Sequence, residues 1–234
     1  MKALFWDFDG TLVDSRLKNY QVTKKIVENT TDKDPLNIPF LKSFDNYKSG
    51  IARFTNWRDI YKNGINLSDE ETDQIGHLWT EYQLNDRTYT PLFKGIKKVV
   101  TMFSKYPNVI ISQNSRQNIF KILNENQIVS HFNMIIGFEE VDIRKQKPDP
   151  PGLIKGIDHL SLNNHDPIYY IGDHETDVVF ANNAAEVLKS RKSPTKIISI
   201  GAFYGNDQSV TDWTIHPDFV ANTPNDIIQI INDN

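Results

Sequence analysis

Four groups of residues could do chemistry by their type and spacing. The first is Asp7-Phe8-Asp9-Gly10-Thr11, which follows the apolar run beginning at Ala3. In a strand, side chains two apart point the same way, so Asp7 and Asp9 share a side. The carboxyl end of a buried parallel strand is where doubly wound folds place their sites. Two carboxylates ionised together in a dry site repel, so the pair calls for a cation or a proton. Gly10 allows a sharp turn directly behind them. The competing reading is a polar strand end with solvated aspartates.

The second group is Ser112-Gln113-Asn114, behind the run Val109-Ile110-Ile111. A hydroxyl at a strand end that leads into a helix can donate to a phosphate oxygen beside backbone N–H groups. Alone, such a serine is as readily a simple cap. The third is Lys147-Pro148. A residue before proline is held extended, and its ammonium could meet a dianionic phosphate. Alone, it reads as a charged surface loop. Lys145 is a rival without the following proline. The fourth is Gly172-Asp173-His174-Glu175-Thr176-Asp177, again closing an apolar run. Asp177 lies four residues on, one helical turn, and can face back toward Asp173. Such carboxylates are hard oxygen ligands that favour Mg²⁺ over softer metals. His174 could touch substrate, and the simpler expectation is a solvated side chain.

The elements that must position these groups follow from periodicity. Continuous apolar runs at 3–8, 108–112, 134–138, 168–172, 196–201 and 219–221 read as strands buried on both faces. Helical spacing at 94–105, 115–126, 151–160 and 176–188 lies between them. The alternation predicts an α/β fold, a doubly wound and mostly parallel sheet with a Rossmann-like core. Residues 16–88 break the rhythm, with helices expected at 16–28 and at 69–84 behind an N-cap at Ser68. The expectation is a core of 1–15 and 89–234, with 16–88 inserted as a helical cap domain. The chain re-enters the core near Thr90-Pro91.

Composition narrows the class. The 234 residues carry 26 Lys and Arg against 30 Asp and Glu, a formal charge of −4 with no basic run, so no nucleic-acid partner is expected. The mean hydropathy is −0.50 and no run approaches about 18 apolar residues, so neither is a membrane. No Cys is present, which excludes thiolate chemistry and suits a cytoplasmic setting.

Taken together, Asp7-x-Asp9-Gly10-Thr11, Ser112, Lys147-Pro148 and Gly172-Asp173-x-x-x-Asp177 resemble the four motifs of the haloacid dehalogenase-like hydrolases, in particular their phosphoglycolate phosphatase-like branch. Thr90-Pro91-Leu92-Phe93-Lys94-Gly95 resembles the family's re-entry segment behind a helical cap. The resemblance implies a magnesium-dependent phosphatase acting on a small phosphorylated metabolite. It implies that Asp7 is the nucleophile, that Asp9 is the acid and base, and that Ser112, Gln113 and Lys147 bind the phosphoryl group. Mg²⁺ would be held by the Asp7 and Asp173 carboxylates and the Asp9 backbone carbonyl, with Asp177 at or just behind that shell. Gln113 departs from the more usual Asn, and His174 from a small polar residue.

Alternatives within and beyond the family remain. Dehalogenases lack an acid at the place of Asp9, which argues for phosphoryl chemistry. Sugar phosphomutases carry a cap His near the first motif, whereas the only His between 15 and 90 is His77. A non-catalytic receiver-like domain would be about half this length. The insert is expected to open and close over the site. Its candidate substrate contacts are Lys18, Tyr47, Lys48, Arg53, Phe54, Trp57 and Arg58, most of them more simply solvated charges or cap core.

Overall fold

A computed structural model describes residues 2–51, 53–54, 56–160, 167–205 and 209–234. In chain order the main elements are β1 (Ala3–Trp6), α1 (Arg16–Thr30), α2 (Phe44–Ile51), α3 (Trp57–Asp59, continued by a π-helical turn at Ile60–Gly64) and α4 (Asp69–Asn85). Then follow α5 (Ile96–Met102), β2 (Asn108–Ile111), α6 (Arg116–Glu125), β3 (Met134–Ile136), α7 (Pro151–Leu160), β4 (Ile168–Gly172), α8 (Glu175–Ser190), β5 (Ile197–Ala202), β6 (Phe219–Ala221) and α9 (Pro224–Asp233). No helix among the described residues is long and apolar enough to cross a membrane.

The six strands form one sheet in the order β3-β2-β1-β4-β5-β6, every pair parallel. The order reverses on the two sides of β1, and a doubly wound fold binds its ligand at such a point, outside the carboxyl ends of the strands. Trp6 of β1 is in register with Ile110 of β2 and Ile171 of β4. The residues just past those three positions are therefore brought together.

The continuous apolar runs are explained by two separate cores. Leu4 and Trp6 face one layer with α5, α6 and α9, through Ile96, Ile119 and Ile227. Ala3 and Phe5 face the other with α7 and α8, through Leu153 and Phe180. Truncating one such fully buried aromatic costs about 3–5 kcal/mol. The polar atom that Trp6 brings inside is satisfied, since its Nε1 donates to Asn108 Oδ1 at 2.9 Å.

The first three strands are shorter than their apolar runs, whereas β4 and β6 match theirs and β5 is shifted by one residue. Phe8 and Ser112 are buried but lie beyond the ladder. The helix expected at 94–105 is confined to Ile96–Met102, and its N-cap is Gly95 at φ +109°, a left-handed conformation that suits glycine. Ser115 caps α6 by accepting from Asn118 N at 3.2 Å. Ser68 caps α4 reciprocally with Glu71, as its position before three acidic residues led one to expect. Helix α9 has no counterpart among the expected elements.

Backbone contacts divide the chain into two compact units, Met1–Asp14 with Pro91–Asn234 and Ser15–Thr90. The second unit has its own core, in which Tyr20, Phe40, Tyr47, Tyr61 and Ile75 are buried and Phe54 and Trp57 pack against them. The charges singled out as candidate substrate contacts are used within this unit. Arg58 pairs with Asp73 at 2.5 Å and Lys48 with Asp45 at 2.9 Å. The Arg53 guanidinium stacks 4.7 Å from the Phe54 ring centroid. Lys18, though buried, donates from Nζ to the Asp86 carbonyl at 3.1 Å.

Candidate active site

The end of β1 carries Asp7 and the end of β4 carries Asp173, on paired neighbouring strands. Asp7 N donates to Ile171 O at 2.8 Å, extending the ladder by one bond and fixing where the Asp7 side chain emerges. Asp177 returns from the first turn of α8. Carboxylate oxygens of Asp7, Asp173 and Asp177 lie within 4.8 Å of one another.

Two glycines make this approach possible. Gly10 has φ +84°, and a Cβ there would lie 2.0 Å from Asp173 Oδ2. A Cβ on Gly172 would lie 2.3 Å from Asp177 Cγ. Both positions therefore need the bare backbone. Thr11 Oγ1 adds a bond to Asp173 Oδ1 at 3.3 Å.

Lys147 supplies the positive charge. Its Nζ donates to Asp7 Oδ1 at 2.6 Å and to Asp177 Oδ1 at 2.8 Å, and Lys147 is itself buried. Burial alone would lower its pKa. Asp177 and Asp7 outweigh that, so Lys147 titrates above the ordinary lysine range and stays charged. One ammonium does not neutralise three carboxylates. Burial, opposed by Lys147 and reinforced by Asp177 and Asp9, pushes Asp7 from 3.8 up to about 7. Burial, with Asp7 and Asp177 beside it, holds Asp173 well above the usual carboxylate range.

That surplus negative charge is the test of whether a cation fits. If all three were ionised, the carboxylates of Asp7, Asp173 and Asp177 would exceed the one ammonium by two charges, and the donors are all oxygen. The set suits a hard divalent ion such as Mg²⁺. Asp177 has both oxygens engaged, Oδ1 by Lys147 and by Tyr170 OH at 3.1 Å, Oδ2 by His174 N at 3.2 Å. For such an ion, Asp7 and Asp173 would be the better direct ligands and Asp177 the better support behind them.

Ser112 follows β2, on the other side of β1. Asn114 N donates to Ser112 Oγ at 3.1 Å, so the hydroxyl oxygen is used as an acceptor and its proton points elsewhere. The hydroxyl is thus set up as a donor. Gln113 Nε2 donates to Lys147 O at 3.3 Å, which ties the Ser112 loop to the Lys147 loop.

The Asp9 carboxylate makes a different contact. Its Oδ2 accepts from Asn114 Nδ2 at 2.9 Å. Among the described residues the group that could hold a metal is Asp7, Asp173 and Asp177, and the Asp9 carboxylate is not part of it. His174 is not merely solvated: its Nδ1 accepts from Thr176 N at 3.1 Å and caps α8. Asn114 and Tyr170 were not anticipated as site residues. Asn114 stood next to Gln113 in the sequence, but its contact with Asp9 depends on β2 lying beside β1.

Comparisons with known proteins agree with this architecture. The family described as haloacid dehalogenase-like hydrolase matches residues 4–186. None of the curated proteins compared matches the sequence. Among solved structures, a protein from Bacteroides fragilis described as a haloacid dehalogenase-like hydrolase aligns with TM-score 0.73 and 22% identity, over 96% of this chain and 98% of its own. A predicted phosphatase from Clostridium acetobutylicum aligns with TM-score 0.76 and 16% identity, over 100% and 99%. A predicted phosphoglycolate phosphatase from Haemophilus somnus gives 0.66 and 16%, over 99% and 98%. At these identities the structural matches speak for the fold. With a sequence match spanning most of the chain, the conclusion is that this protein belongs to the haloacid dehalogenase-like hydrolase family.

Proposed function

We propose that the protein is a magnesium-dependent phosphatase that hydrolyses a small phosphomonoester through an aspartyl-phosphate on Asp7. The observation that carries this reading is the cluster of Asp7, Asp173 and Asp177, the first and last paired with the buried Lys147, at the point where the strand order reverses.

In this reading Asp7 attacks phosphorus as the bond to the departing ester oxygen breaks. Asp9 gives that oxygen a proton. In the second step Asp9 takes a proton from the water that attacks the aspartyl-phosphate, and inorganic phosphate leaves with Asp7 restored. Ser112 and Lys147 hold the transferring phosphoryl oxygens, with Gln113 bracing the Lys147 loop. Asp177 and Tyr170 keep the ammonium in place. Mg²⁺, held by Asp7, Asp173 and the Asp9 carbonyl, would supply charge neutralisation for the phosphoryl oxygens when bound. The setting we propose is cytoplasmic, and the helical unit is the part we propose to select the substrate.

A panel of phosphorylated metabolites, assayed for phosphate release with Mg²⁺ and with excess chelator, tests the proposal. Phosphate should be released from at least one small ester, and chelator should abolish it. Full turnover by metal-free protein in chelator would overturn it.

A further inference from the structure

Asn114 is 4% exposed and lies in the loop that follows β2, beside the loop that follows β1. Its Oδ1 accepts from Ser115 N at 2.8 Å and from Asn118 Nδ2 at 3.1 Å. A backbone N–H can only donate, so the atom it meets must be the amide oxygen. The other end of the amide is then the nitrogen, and it faces Asp9 Oδ2 at 2.9 Å. With two donors gripping its oxygen, the amide cannot turn over.

We infer that Asn114 is the positioning residue for Asp9, bonding Oδ2 so that the transferable proton belongs to Oδ1. The inference rests on the phosphatase reading above. Asp9 stands past the end of β1 and just before Gly10, in a turn whose backbone is closed by Gly10 N donating to Val13 O at 2.9 Å; that turn fixes the Asp9 backbone and leaves its carboxylate to be oriented by other groups. A carboxyl oxygen that accepts an amide N–H is held as the acceptor, so protonation falls on its partner. In the first step the Oδ1 proton passes to the ester oxygen as the phosphorus–oxygen bond breaks. Asp9 is left charged, and the Asn114 bond becomes charge-assisted. That bond is stronger after proton transfer than before it, so it favours the transition state over the bound substrate. In the second step the same oxygen receives the proton of the attacking water. The Asn114 backbone meanwhile turns the Ser112 hydroxyl into a donor. That contact survives any change of the side chain, so the two roles separate by mutation.

The test is single-turnover kinetics of Asn114→Ala on an alkyl and an aryl phosphate, with and without Asp9→Asn. An alkyl oxygen needs protonation to leave, and an aryl oxygen needs it far less. Asn114→Ala should slow the alkyl ester by about 10- to 100-fold, the scale of one hydrogen bond to a charged group. The first step of the aryl ester should change by less than about threefold, with KM for both nearly unchanged. In an Asp9→Asn background Asn114→Ala should have no further effect, because the group it positions has gone. Equal losses on both esters, or losses that multiply with Asp9→Asn, would mean a structural role and overturn the inference. Should Asn114→Ala fail to fold, Asn114→Ser keeps a small polar group near Ser115 and is too short to reach Asp9, and the same two readings apply. If Asp9→Asn alone treats the two esters alike while Asn114→Ala does not, the acid–base reading of Asp9 is what fails.

Discussion

Lys147 Nζ stands 2.6 Å from Asp7 Oδ1, although 140 residues separate them in the chain. The parallel sheet brings them together, and burial makes the pairing consequential. Removing one partner of a buried ion pair strands the other, at a cost of about 3–5 kcal/mol. Lys147→Ala should therefore destabilise the metal-free protein by about that amount at neutral pH, read from urea unfolding. It should also weaken substrate binding. A loss below about 1 kcal/mol would mean that the ammonium is not holding the cluster together.

Metal and proton should compete for this cluster. Asp7 titrates near 3.8 when unfolded and at about 7 in the metal-free fold. Between those values the folded state binds more protons than the unfolded chain, so stability falls as pH rises from about 4 to about 7. The loss from this group is at most about 4 kcal/mol. Mg²⁺ binds the deprotonated form, so its affinity should rise over the same window and its presence should flatten the decline. Urea midpoints measured against pH, in chelator and in excess Mg²⁺, check this. Parallel curves in the two conditions would contradict it.

Gly10→Ala tests the close approach of the first and fourth motifs. A left-handed conformation costs a side chain roughly 1–2 kcal/mol. The larger effect comes from a methyl placed 2.0 Å from Asp173 Oδ2. The carboxylate must move, so Mg²⁺ affinity measured by calorimetry should drop by at least about tenfold, with a smaller change in stability. Unchanged affinity would remove Asp173 from the ligand set.

The two aspartates of the first motif should fail differently. Asp9→Asn keeps the nucleophile and the backbone carbonyl, so metal and phosphate should still bind while proton transfer is lost, about 10²–10⁴-fold. The loss should be largest for alkyl esters, and water attack should slow as well. Asp7→Asn should abolish turnover of every ester. Single-turnover rates for both variants on both ester types decide the matter. An equal first-step loss on both esters in Asp9→Asn, with water attack unchanged, would remove it as acid and base.

Much of the architecture was legible because both sheet faces are covered, so the strands stand out as unbroken apolar runs such as Val109-Ile110-Ile111. Asp7, Ser112 and Asp173 were legible for a related reason: each directly follows such a run. Asn114 was not, since its partner Asp9 is 105 residues away and only the β1–β2 pairing joins them. Helix α9 has little periodic sequence to mark it, although Thr223-Pro224-Asn225-Asp226 carries a capping signal with proline at the first turn. Its amphipathic stretch is short and ends the chain. Between α1 and α4, short helical turns at Pro35–Asn37 and Pro39–Leu41 are set by proline and by packing of Phe40 and Leu41, not by periodicity.

The central claim is a phosphoryl group carried on Asp7. The most direct measurement is acid quenching of Asp9→Asn protein during turnover of an aryl phosphate, followed by mass spectrometry of the peptides. In this variant the first step should proceed on the activated ester while hydrolysis of the intermediate is slowed. The account predicts up to one phosphoryl group per chain, on the peptide that contains Asp7, and none when Asp7 is also replaced by Asn. Label on another residue, or steady phosphate release with no label at any quench time, would contradict it.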